Sequence, residues 1–252
     1  MGGVEVPVLL GLLAVAALAG FVDAVAGGGG LLQLPPLLAL FPPAVALPTN
    51  KVSSICGTSA ALYRYARNDC VRWRVVAVLG PIAFAASAAG SLSFLQVVKE
   101  HAASVRPVFA LCFLALSAHQ VWKALGRGPA PEARPPRAAL AILFTVGIGL
   151  YDGFLGPGAG MFLFWTLTTW LALAPLEATG TTKAINWLTN LGSLSVFVAK
   201  GGILWGLALS MAAANVLGGT IGAHTAIRRG VRFIRLTTAV VCIGASVYLL
   251  LT

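Results

Sequence analysis

The chain has 252 residues, of which 58% are hydrophobic and 10% charged, and its mean hydropathy is +0.91. That exceeds what a soluble globule carries and leaves no room for a soluble catalytic domain. The net charge of +10 comes from 17 basic and 7 acidic residues. The basic ones flank apolar runs, which fits the positive-inside rule and argues against a nucleic-acid-binding face.

In chain order, two short apolar pieces come first, 6–22 and 31–41, separated by Gly27-Gly28-Gly29-Gly30. Residues 4–22 have the look of a secretory leader, but Glu5 is the only charge there and the segment recurs at 138–150, so it is read as part of the mature fold. Longer helices are expected at 48–66, 75–95 and 105–124, and a Pro-, Gly- and Arg-rich linker at 125–137. The pattern then restarts, with short pieces at 138–151 and 160–172 around Gly156-Pro157-Gly158, and long helices at 178–199, 205–227 and 234–251. The runs 75–95, 107–122, 206–227 and 236–251 contain no charge. They are continuous rather than alternating, which favours helices crossing a ~30 Å hydrocarbon core over barrel strands. The expected fold is therefore an all-α polytopic membrane protein made of two tandem repeats, 1–124 and 138–252. Each repeat has a short broken or re-entrant helix pair followed by three long transmembrane helices.

The repeat is carried by specific residues. Gly20-Phe21-Val22-Asp23 returns as Gly149-Leu150-Tyr151-Asp152, and Thr49-Asn50-Lys51 as Thr181-Thr182-Lys183. The aspartates stand 129 residues apart and the lysines 132, so about three residues are inserted between them. The 132-residue offset then holds for Trp73 with Trp205 and for Gly90 with Gly222. Arg64, Arg67, Arg72 and Arg74 mark one cytoplasmic loop, Lys123, Arg127, Arg134 and Arg137 mark the linker, and Arg228, Arg229, Arg232 and Arg235 mark a third loop. The loop at 200–204, equivalent to the first, holds only Lys200. Equivalent loops are thus expected on opposite sides, which makes the repeats inverted in topology and puts both termini outside the cytoplasm. The segment 96–106, with Lys99 and Arg106, runs against that charge pattern.

Asp23, Asp152, Lys51 and Lys183 lie in or beside apolar sequence, where ionisable groups are expensive unless paired or facing water. Each Asp precedes a glycine break (Gly28, Gly29 and Gly30, then Gly156 and Gly158) where a helix can stop and a half-helix restart, aiming its positive end inward. Each Lys follows a Thr, Thr49 or Thr181, that suits an N-cap. A lysine at a helix N-terminus calls for a nearby anion, either the substrate or the Asp of the same repeat. Asn50, Thr182, Asn186 and Asn190 would add neutral hydrogen bonds. Two readings stand side by side: lysines that touch substrate, or structural ion pairs with Asp23 and Asp152, which are also candidate carriers of a coupling proton. Gly218-x-x-x-Gly222 and Ala86-x-x-x-Gly90 read as helix-packing pairs, and Trp73, Trp122, Trp170 and Trp205 as interfacial anchors. Trp187 either lines the path or fills core. Cys56, Cys70, Cys112 and Cys242, like His101, His119 and His224, show no metal-ligand spacing, and no cofactor is expected.

At these residues the chain resembles the TauE/SafE family of membrane permeases, the sulfite exporter or toluenesulfonate-uptake family. The matching stretches are Asp23–Gly30, Leu34-Pro35-Pro36, Thr49–Lys51, Tyr151–Gly158, Thr182-Lys183 with Asn186 and Asn190, Gly201-Gly202-Ile203 and Gly218-Gly219. The resemblance implies a secondary transporter of the bacterial inner membrane that moves a small sulfur-containing anion (sulfite, sulfoacetate or another organosulfonate) without ATP hydrolysis. Alternating access would have one repeat rock or slide against the other around a shared pocket at Lys51 and Lys183. A passive anion channel with the same pocket is the alternative. An integral membrane enzyme is a weaker one, since the ionisable groups come as matched pairs. The expected partners are the anion and the lipid bilayer, with a proton as a candidate coupling ion, sodium being left open, and no nucleic acid.

Overall fold

The computed structural model describes residues 5–100 and 136–251, with side chains described to residue 229. The expected helix at 105–124 and nearly all of the linker lie outside the described residues, as do His101, Arg106, Cys112, His119, Trp122, Lys123, Arg127, Arg134 and the side chains of Arg232, Arg235 and Cys242. Every regular element among the described residues is a helix.

Helix α1 (Val6–Ala26) is apolar apart from Asp23 and stops at Gly27, whose φ of 80° lets its N–H reach back to the Asp23 carbonyl. Helix α2 (Gly29–Leu40) starts two residues later. Pro43 then opens α3 (Pro43–Ala66), and α4 (Trp73–Glu100) completes the first set. The second set repeats the order: α5 (Ala138–Phe154), α6 (Ala159–Trp170), α7 (Pro175–Lys200) and α8 (Trp205–Leu251). The helix starts locate the insertion. The offset is 130 from α2 to α6 and 132 from α3 to α7, so one extra residue lies in the glycine break and two between the short and long helices.

Three expectations need correction. The helices expected at 205–227 and 234–251 are one continuous helix of 47 residues, so Arg228–Arg235 is not a loop. Arginine is a good helix former, and that stretch holds one glycine and no proline to stop it. At ~1.5 Å per residue α8 is ~70 Å long, more than one crossing needs. Secondly, α1 is not a short piece; its 21 residues are long and apolar enough to cross a membrane, as are α4 and residues 205–229 of α8. Thirdly, Thr49 and Thr181 are not N-caps of their own helices, because Pro43 and Pro175 fix the helical φ six residues earlier.

Instead each threonine serves the other half of the chain. Thr49 Oγ1 accepts from the Leu204 N–H at 3.2 Å, just ahead of α8, and Thr181 Oγ1 accepts from the Arg72 N–H at 3.0 Å, just ahead of α4. The two bonds are matched at the 132-residue offset. Pro48, inside α3, cannot donate to the Ala44 carbonyl, and Gly202 approaches that same oxygen closely enough that a Cβ would sit 2.6 Å away.

The helices pack as two bundles that cut across the sequence halves. α1 lies chiefly on α8, α3 also lies on α8, and α2 joins α1 and α3. In the same way α4 carries α5 and α7, and α6 joins α5 and α7. Of the described helices, each bundle therefore takes three from one half and one from the other. Small residues permit this: a Cβ on Gly218 would strike the Ala17 carbonyl, one on Gly222 the Phe21 carbonyl, and one on Gly90 the Leu150 carbonyl. The bundles meet mainly where α3 crosses α7.

Candidate functional site

Helices α3 and α7 are long but less apolar than their neighbours, because each carries a polar stripe along the face it turns to the other. On α3 the stripe is Asn50, Ser54 and Thr58; on α7 it is Thr182, Asn186 and Asn190. Spacings of four residues keep each set on one helical face, and the two sets match residue for residue at the 132-residue offset. Lys51 and Lys183 stand beside these stripes and are 2% and 0% exposed. A lysine buried that deeply in an apolar surround requires a negative partner.

The partners cross between bundles. Lys51 Nζ lies 2.9 Å from Asp152 Oδ2, and Lys183 Nζ lies 2.9 Å from Asp23 Oδ2. The expectation that each lysine meets the Asp of its own repeat is thus overturned. Asp23 ends α1 in one bundle and Asp152 sits in the last turn of α5 in the other, so each lysine reaches over the α3–α7 crossing. The two pairs differ in detail. Lys183 donates a hydrogen bond to Asp23, and Thr58 reaches the same oxygen at 3.4 Å. Lys51 touches Asp152 ionically, without hydrogen-bond alignment, and donates instead to Asn190 Oδ1 at 3.1 Å. The Asp152 side chain is 3% exposed and that of Asp23 is 19%.

These groups surround a cavity of about 30 Å³ lined by Asp23, Lys51, Asp152, Asn50, Ser54, Thr58, Asn186 and Asn190. Glycines 27, 30, 156, 158 and 160 form the rest of its wall. At ~10–15 Å³ per water, this is room for a water or two. The two glycine breaks meet here. A Cβ on Gly27 would lie 2.6 Å from the Gly160 carbonyl carbon, and one on Gly30 would lie 3.2 Å from Pro157 Cα. Neither α2 nor α6 has a side-chain cap on its N-terminus. At matched positions, Asn50 Oδ1 and Thr182 Oγ1 are buried without a hydrogen-bond partner, which marks places where a further ligand would be satisfied.

Of the residues singled out in the sequence, Asp23, Asp152, Lys51, Asn50, Asn186, Asn190, Gly30, Gly156 and Gly158 face the cavity, and Lys183 joins it through Asp23. Gly28 and Gly29 do not: Gly28 packs under the Met161 side chain, and Gly29 lies against the Ala19 carbonyl and Asp23 Cβ. Thr182 is buried but lies outside the lining. Sequence reasoning missed Ser54 and Thr58, although subtracting the repeat offset from Asn186 and Asn190 points straight at them. It also missed Gly27 and Gly160, and the buried Asn215–Gln33 hydrogen bond of 2.7 Å, whose matched positions are Ala83 and Leu163. Among the described residues, no three His, Cys, Asp or Glu side chains group as metal ligands would.

The model of the sulfite exporter TauE/SafE family matches residues 12–249. The chain belongs to that family. Among its TauE/SafE relatives, "Probable membrane transporter protein ORF9" of Sinorhizobium sp. is 30% identical over 244 residues, covering 96% of this chain and 92% of its own length. The "Probable membrane transporter protein YfcA" of Escherichia coli K12 is 31% identical over 249 residues, covering 97% of this chain and 90% of its own. A "Probable membrane transporter protein" of Haemophilus influenzae is 31% identical over 225 residues, covering 89% and 87%. No solved structure matches. With the apolar helices, these likenesses make the TauE/SafE chain a multi-pass membrane transporter.

Proposed function

We propose that this TauE/SafE chain is a secondary transporter that carries a small sulfur-containing anion, such as sulfite, sulfoacetate or another organosulfonate, across the bacterial inner membrane by alternating access. The observation that carries the reading is a small polar cavity where carboxamides, hydroxyls and two uncapped helix starts meet the buried Lys51, with the buried Lys183 of the other bundle held against its Asp23 wall. Lys51, Lys183, Asn50, Asn186, Asn190, Ser54, Thr58 and the cavity-lining glycines hold the anion, and the orphaned Thr182 hydroxyl is a further contact once the bundles part. The units that move are the two mixed bundles rather than the two sequence halves, because the strongest packing lies within each bundle. The halves are read as inverted repeats with both termini outside the cytoplasm, a reading supported by the matched, crossed contacts and by the four arginines at and around the α3–α4 connection against a single Lys200 at the end of α7.

The test is uptake of labelled sulfite into proteoliposomes preloaded with unlabelled sulfite, alongside the Lys51→Gln/Lys183→Gln variant. Saturable counterflow that the variant loses is the expected result. Flux without saturation or counterflow would make the protein a channel, and counterflow equal to wild type in the variant would remove the lysines from the pocket.

A further inference from the structure

The cavity is electrically balanced as it stands. Two ammonium groups and two carboxylates meet there, each lysine already in contact with a carboxylate oxygen at 2.9 Å. No positive charge is left over to attract an anion. An incoming anion gains a lysine only by displacing Asp23 or Asp152, and the displaced carboxylate then sits beside the anion in a buried site. Protonating that carboxylate removes the conflict.

We propose that Asp23 and Asp152 are proton-binding sites, and that the anion moves together with one proton for each carboxylate it displaces. This rests on the anion reading of the cavity given above. In the empty protein the carboxylates take the place of the anion and tie the bundles together, so the unloaded carrier still closes. In the loaded protein the anion bridges the lysines, and each displaced aspartate carries a proton on its carboxyl oxygen. A dianion that displaces both aspartates travels with two protons, leaving the transport step electroneutral. The proton enters as solvent hydronium and leaves the same way on the far side; no other reactant is needed.

Among the described residues, the surroundings give the carboxylates no competing ionisable partner. Helices α2 and α6 carry no ionisable residue. Tyr65 on α3 is committed to the Ala24 carbonyl and Tyr151 on α5 to the Pro157 carbonyl. No described ionisable side chain of α4 or α8 lines the cavity wall. Lys51, Lys183, Asp23 and Asp152 are therefore the charges that must balance the substrate. Asp23, being the more exposed carboxylate, is the one that solvent protons reach first in this conformation.

The experiment uses the full-length protein in proteoliposomes, with sulfite on the alkaline side of neutrality, where it is the dianion, and with the membrane potential clamped by a potassium gradient and valinomycin. An imposed pH gradient, acidic outside, should drive sulfite accumulation in wild type, whereas an imposed potential should leave its rate unchanged. In Asp152→Asn one proton fewer travels: the loaded site stays neutral but the empty carrier keeps one uncompensated positive charge, so each cycle moves one net negative charge inward. An inside-positive potential should then speed its uptake several-fold, and Asp23→Asn should behave alike. Wild-type accumulation that follows the potential and ignores the pH gradient overturns the coupling while leaving the carrier standing. Loss of all sulfite-dependent flux, counterflow included, would overturn the anion reading and the coupling with it.

Discussion

Lys51 and Asp152 form the more deeply buried of the two crossed pairs, with 2% and 3% of their side chains exposed. Removing the lysine alone strands a carboxylate, which for a buried pair is worth ~3–5 kcal/mol of stability, whereas removing both charges is far milder. Lys51→Ala should therefore lower the melting temperature in detergent sharply, and Lys51→Ala/Asp152→Asn should recover much of the loss. Lys183→Ala should cost less than Lys51→Ala, because Asp23 is partly exposed and keeps its contact with Thr58. A double-mutant cycle should show coupling for Lys51 with Asp152 and for Lys183 with Asp23, and little for the same-repeat combinations. The four ionisable residues were legible in the sequence because charge inside apolar sequence is rare. Their pairing was not, since spacing along the chain does not say which helix faces which.

Among the helices, the glycine breaks and the helix starts set the geometry. Gly27 has a left-handed φ and touches Gly160, so Gly27→Ala meets both strain and a backbone collision. It should destabilise by more than the ~1–2 kcal/mol of left-handed strain alone, whereas Gly147→Ala, with open space around it, should be nearly silent in the same melt. Thr49→Val and Thr181→Val each remove a bond to the N–H that precedes the opposite half's helix, and each should lose ~1 kcal/mol, the scale of a lost cap. Between α3 and α4, burial pushes the Cys70 thiol up, aided by Asp69 and Glu177, so it stays protonated at neutral pH. It should react with maleimide more slowly than a cysteine placed at exposed Arg74, and speed up only as pH rises above the ordinary thiol range. Among the described residues, helix existence followed from the sequence wherever an apolar run was continuous. Boundaries failed where a proline started a helix early, at Pro43 and Pro175, and where arginines prolonged one, at Arg228 and Arg229.

Over the whole molecule, the two bundles touch along α3 and α7, where Trp187 Nε1 donates to Ser59 Oγ at 2.8 Å across the seam. If transport needs the bundles to part, a bifunctional thiol reagent joining Ser59→Cys to Trp187→Cys should stop sulfite flux, and a cleavable reagent should restore it on reduction. The same reagent joining cysteines placed on α1 and α8, within one bundle, should leave flux intact. The internal duplication was legible in the sequence through the matched Asp and Lys motifs, while the matching of Ser54 and Thr58 with Asn186 and Asn190 was passed over. The exchange of α4 and α8 between bundles was not, because a repeat pattern identifies like segments without saying which copy they pack against.

That exchange sets an order of assembly. When the first half leaves the ribosome, α1 and α3 have no α8 to lie on, and α4 has no α5 or α7. The bundle around α4 can close only once α7 has been made, and the bundle of α1 and α3 only once α8 has, so the newly inserted first half waits in the lipid with Lys51 and Asp23 unpaired. Either half expressed alone should be degraded, and the two expressed together as separate chains should rescue each other. A gene encoding a single such repeat would have faced the same demand, met only by two copies trading helices; joining the copies in one chain turns an encounter between molecules into a fold.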